Sequence, residues 1–146
     1  MLLSLRRTGI IAGVMKIRFQ FPLYPPSTNA LFATFKGRRI KTRDYVAFTK
    51  MIDVLTATRS DKAQLRALAG RPFGLVVELY APSWRYKNGN PMRFDCSNRI
   101  KAVEDCLCRA FGWLDECCVE VTAVKRIGPF KGTAVTFSFL EDVDLI

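Results

Sequence analysis

Between residues 16 and 23 apolar and polar side chains alternate. Ile17, Phe19 and Phe21 share one side, and Lys16, Arg18 and Gln20 the other. A period of two describes a β-strand with one buried face. Pro22, Pro25 and Pro26 end it, and Pro-Pro-Ser-Thr-Asn at 25–29 is a turn signal. From Thr42 the period lengthens. Tyr45, Phe48, Ile52 and Leu55 recur at spacings of three and four, which predicts a helix with Thr42 as its cap. A second helical stretch over 61–69 stops at Gly70, with Lys62 and Arg66 on its outer face. Residues 73–81 read as a strand with a β-branched centre, and 82–92 as a long loop rich in Pro, Gly, Asn and cations.

The clearest helix runs over 97–111. Ile100, Val103, Leu107 and Phe111 form its apolar stripe, and Gly112 ends it. Residues 119–126 alternate again before a Gly128-Pro129 turn, and 133–140 place Val135, Phe137 and Phe139 inward. These last two strands are expected to pair as a hairpin. The order predicts one α/β (α+β) domain, a mixed β-sheet with helices packed on it. A length of 146 residues suits one hydrophobic core.

Charge narrows the partners. The net charge is +10, and a basic surface favours polyanions. Basic domains that bind RNA share this property. The densest basic stretch holds Lys36, Arg38, Arg39, Lys41 and Arg43, interrupted by Gly37. It reads as a loop or hairpin tip, either simply solvated or a phosphate-contacting arm. In the 82–92 loop Trp84 and Tyr86 alternate with Arg85 and Lys87. Such rings can stack on bases or cover a sheet edge.

There is no histidine, which removes the usual near-neutral base and the commonest imidazole ligand. A hydrolase built from this chain must use carboxylates, lysine, cysteine or a metal-bound water. The five cysteines form no C-x-x-C pair and read as reduced thiols rather than a zinc site. No stretch approaches the ~20 apolar residues of a membrane span, and the start of the chain lacks a secretory pattern. The expected location is the cytoplasm. Residues 1–14 read as an extension, disordered or from a non-native start, and 15–146 as the domain.

Acidic residues are few, yet Asp95, Glu104, Asp105, Asp115 and Glu116 fall within one segment flanking the 97–111 helix. Several carboxylates can hold a divalent ion, which polarises a phosphodiester and lowers the pKa of bound water. Lys101 can then bind the scissile phosphate. Read structurally instead, Asp95 and Ser97 are ordinary helix-start residues, Asp115-Glu116 a solvated turn and Lys101 a surface lysine.

Three segments carry a family resemblance. FPLYPPSTNALF at 21–32, KTRDYVAF at 41–48 and RFDCSNRIKAVEDCLCRAFGWLDECCVEVTAVKRIG at 93–128 resemble, in order and spacing, the motifs of RusA-type Holliday junction resolvases. The resemblance covers most of residues 16–139. It implies that Asp95 matches a metal-binding aspartate, Asn98 the motif asparagine and Lys101 the essential lysine. Asp105 matches the helix aspartate, and Asp115 the first residue of an Asp-Asp pair. Ser97 stands where the pattern has a second aspartate, and Glu116 where the pair has its second.

The resemblance further implies a homodimeric, Mg2+- or Mn2+-dependent endodeoxyribonuclease. It would cut four-way (Holliday) or branched DNA by paired symmetric nicks in recombination and repair, as such proteins of phages and prophages do. The expected ligands are Asp95, Asp115 and Glu116, with Lys101 on the phosphate. Ser97, Asn98 and Asp105 are expected to support them. Arg38, Arg39, Lys41, Arg85, Lys87, Arg93 and Arg99 are candidates for gripping DNA backbones. Two other classes stay open: a junction-binding protein without nuclease activity, and a basic RNA-binding or structural domain.

Overall fold

The computed structural model describes residues 15–140. The extension read at 1–14 therefore lies outside the described residues. Strands β1 (Met15–Phe21), β4 (Phe73–Ala81), β5 (Cys118–Ile127) and β6 (Gly132–Phe139) form one sheet in the order β1-β6-β4-β5. A separate hairpin joins β2 (Phe32–Phe35) to β3 (Arg38–Lys41). The helices are α1 (Arg43–Ala57), the short α2 (Lys62–Arg66) and α3 (Ile100–Phe111). The sheet is mixed: β6 runs antiparallel to β1 and β4, and β5 parallel to β4. The predicted class, a mixed sheet with helices packed on it, is what the chain adopts.

The alternation in β1 works as the sequence requires, with Ile17, Phe19 and Phe21 buried. They meet Leu75, Val77 and Leu79 of β4, Phe137 and Phe139 of β6, and the inner faces of α1 and α3. Thr42 caps α1 by accepting from the Tyr45 amide at 3.3 Å. Trp113 fills the centre, stacked on Phe111 at 4.7 Å, and its indole N–H donates to the Leu65 carbonyl at 2.7 Å. That bond ties α2 to the end of α3.

The expected hairpin between β5 and β6 does not form. β4 lies between them, and β5 pairs with β4 in parallel, with α3 as the crossover helix. Parallel neighbours need such a connection, and α3 supplies it. The Gly128-Pro129 segment is thus a step across the end of β4 rather than a tight turn. A Cβ on Gly128 would sit 2.9 Å from the Tyr80 ring, and Phe130 stacks on that ring at 5.0 Å. Glycine is needed there because the backbone crosses an aromatic face. The β4-α3-β5 unit brings the loop after β4 and the start of α3 to the carboxyl end of the parallel pair.

Candidate functional site

Two groups of polar residues lie along α3, one at its entry turn and one over its first two turns. The first is the entry turn. Asp95 accepts from the Ser97 hydroxyl at 2.7 Å, the Ser97 amide at 3.1 Å and the Asn98 side-chain amide at 3.1 Å. These bonds, the Ser97 hydroxyl first, hold its carboxyl below the usual aspartate value. The turn is braced from the Pro-Pro-Ser-Thr-Asn segment: Thr28 donates to the Asn98 carbonyl at 3.0 Å, and Arg99 donates to the Pro25 carbonyl at 3.0 Å.

The second group lies further along α3. Lys101, Glu104, Asp105 and Cys108 are spaced three and four apart and share one helix face. Lys101 pairs with Asp105 at 3.1 Å. Gly112, with φ of 70°, ends the helix in the left-handed conformation that glycine tolerates. Trp113 then drops into the core, with its amide on the Cys108 carbonyl at 2.8 Å. The chain doubles back, so that Asp115 opens the next turn beside the helix. Carboxylate oxygens of Glu104, Asp105 and Asp115 lie within 4.8 Å of one another. Burial, then the charges of Asp115 and Asp105, push the Glu104 carboxyl above the ordinary value. The same surroundings push the buried Cys108 thiol up to about 12, mainly by desolvation, so it is inert.

A shallow concavity opens beside this group. Its walls include Asp105 and Asp115, Arg109, and Lys41 and Tyr45 from the start of the α1 region. The β2–β3 hairpin thus delivers a basic residue to the acidic group. Its tip has Lys36 at φ 50° and Gly37 at φ 73°, the tight-turn geometry that a glycine second position favours.

The expected site residues are therefore divided. Asp105, Asp115 and Lys101 come together. Asp95, Ser97 and Asn98 form their own hydrogen-bonded turn, on the order of 10 Å along the helix axis from Glu104. Glu116 is exposed next to Asp115 and is not one of the three clustered carboxylates. Glu104 takes the third place. Its spacing from Lys101 and its adjacency to Asp105 were the available signal.

Lys125, near the end of the strand in the third motif segment, is a second residue to which the sequence assigned no role in the site. Its ammonium lies over the Trp84 ring at 5.2 Å and the Phe94 ring at 5.9 Å, and its charge helps hold the Asp95 carboxyl down. Only the parallel pairing of β5 brings it there.

Among the basic candidates, Arg38, Arg39 and Lys41 line the exposed strand β3, with Arg39 over the Phe32 ring at 3.7 Å. Arg85, Lys87 and Arg93 are exposed on the loop after β4, where Arg85 donates to the Gly89 carbonyl at 2.8 Å. Arg99 differs. It is partly buried, bonded to Pro25 and stacked on Phe94 at 4.0 Å, and desolvation lowers its pKa. Trp84 covers the sheet end: it packs on Tyr24 and Phe94 and donates to the Arg126 carbonyl at 2.8 Å. Tyr86 remains exposed.

No protein-family model matches the chain, and a search of curated proteins finds no match. No helix among the described residues is long and apolar enough to cross a membrane.

Proposed function

We propose that this chain is a Mg2+-dependent endodeoxyribonuclease that acts, as a homodimer, on four-way DNA junctions. The observation that carries this reading is the meeting of Glu104, Asp105 and Asp115 beside Lys101, next to a concavity whose walls include Asp105, Asp115, Lys41 and Arg109. Three carboxylates without imidazole or a thiolate suit a hard, oxygen-seeking cation such as Mg2+ or Mn2+. The order and spacing of the motifs shared with RusA-type resolvases support the same reading.

The division of labour follows from the side chains. Glu104, Asp105 and Asp115 would hold the cation, which when bound supplies Lewis acidity to the phosphodiester and lowers the pKa of water. Lys101 neutralises Asp105 in the free protein and has the length to turn its ammonium to a phosphate oxygen. Lys41 and Arg109 flank the group and attract the backbone toward it. Arg38 and Arg39 extend that cationic track along the hairpin, where backbone contacts position DNA without reading its sequence. A two-fold dimer presents two such sites, which paired nicks require.

A labelled synthetic four-way junction incubated with the protein and Mg2+, or with EDTA, tests the reading. Paired nicks that need the metal are expected. A junction that is bound but left intact in both Mg2+ and Mn2+ supports the second reading, a junction-binding protein without nuclease activity. Two observations favour that alternative: both carboxylate oxygens of Asp95 accept bonds from Ser97 and Asn98, and Asp95 is not one of the clustered carboxylates.

A further inference from the structure

We propose that two copies of this chain join edge to edge through β5, so that their four-stranded sheets become one sheet of eight. This deepens the homodimer reading above and rests on it only for the existence of a dimer. β5 is an outer strand ten residues long, and no strand pairs with its far side among the described residues. It contains no proline, and Val119, Val121 and Ile127 on it are all exposed. An exposed edge strand invites pairing, and proteins normally blunt or cover such edges; here a bulge at Val119 irregularises only the start of β5, and Glu120 to Ile127 keep an unbroken register. The opposite edge, β1, is shorter and has the Arg59 guanidinium on its Arg18 carbonyl at 3.3 Å.

The backbone is correctly aimed. The Gly128 amide donates to the Ala81 carbonyl at 3.0 Å, so the even-numbered residues of β5 direct their peptide groups toward β4. By strand alternation Val121, Ala123 and Lys125 direct theirs away from it. Among the described residues the Ala123 carbonyl meets only the Cys96 thiol, at 3.8 Å, and keeps a lone pair for a stronger donor.

The side chains select one register. An antiparallel pair centred on Ala123 sets Glu120 of one copy against Arg126 of the other, twice by symmetry. The same register sets Val121 beside the Lys125 stem. Glu120 has no ion-pair partner among the described residues, whereas Arg126 bonds Glu78 at 3.0 Å, a carboxylate that Arg18 also neutralises. Opposite charges facing across a strand pair stabilise it, and like charges disfavour it. The strand is thus complementary to itself in sequence order, as an isologous two-fold contact requires.

Sedimentation of the full chain over a range of concentrations, with amide exchange followed residue by residue, tests this. The expected result is a dimer in which the amides of Val121, Ala123 and Lys125 exchange slowly. Glu120→Arg should weaken it about tenfold by facing Arg126 with a like charge, and E120R combined with R126E should restore it. A dimer that withstands E120R, with those three amides exchanging fast, overturns strand pairing but leaves the homodimer reading intact. A wild-type chain that stays monomeric at every concentration overturns both. None of these readouts depends on cleavage, so an inactive nuclease does not obscure them. The exchange pattern of the wild-type chain decides the matter even if the double variant folds poorly.

Discussion

The carboxylate of Asp115 lies within 4.8 Å of that of Glu104, brought there by the reversal of the chain at Gly112. Burial and the neighbouring charges raise the Glu104 pKa in the folded protein. The folded state then holds its proton more tightly than the unfolded state, so this group contributes stability at low pH that is lost as pH rises through the raised value. A divalent cation relieves the repulsion. At neutral pH and a tenfold excess over Kd it should add about 1.4 kcal/mol and raise Tm by several degrees. The rise should shrink once the carboxyls are protonated. Glu104→Gln should stabilise the metal-free protein and abolish most of the metal-induced rise; thermal melts with Mg2+ or EDTA at two pH values measure both.

Asp95 titrates in the opposite sense. Its folded pKa is depressed, chiefly by the Ser97 hydroxyl. Its contribution to stability is present above the unfolded value and is lost as pH falls through the folded one. Ser97→Ala should move the Asp95 carboxyl up toward its ordinary value, as read by NMR titration. An unchanged titration would mean that the 2.7 Å bond contributes little in solution.

The basic candidates should separate into two kinds. Arg38→Ala and Lys41→Ala should each reduce the slope of log Kd against log salt by about 1, with Tm nearly unchanged. Arg99→Ala should do the reverse. Losing its bond to Pro25 and its stack on Phe94 should cost about 1–2 kcal/mol of stability and leave the salt slope alone.

Gly128→Ala probes the crossover between β5 and β6. The added methyl would stand 2.9 Å from the Tyr80 ring, and relieving that overlap should cost about 1–3 kcal/mol. Chemical denaturation measures this loss. A neutral substitution would argue against the passage of the chain over Tyr80.

How far the sequence was legible depended on whether a feature is local. Thr42 capping α1, the turn at Gly37 and the α3 stripe from Ile100 to Phe111 were readable because neighbours in the chain create them. The partner of β5 was not. Gly128-Pro129 punctuates a tight turn and a crossover alike, and only the pairing of β4 with both β5 and β6 gives that strand its place between them. The same non-local step hid the approach of Lys125 to Asp95, which comes through the parallel pairing. Glu104 was visible as one of a group of acids. Its selection over Glu116 depended on which side of α3 the chain returns to after Trp113.

The most direct test of the account compares the wild-type protein, Asp115→Asn and Glu104→Gln on one pre-bound four-way junction, with single-turnover cleavage started by Mg2+. Removing a clustered carboxylate should lower the cleavage rate by two orders of magnitude or more, roughly 3 kcal/mol of barrier, while the junction stays bound. Cleavage by both variants at the wild-type rate would contradict a catalytic centre at Glu104, Asp105 and Asp115.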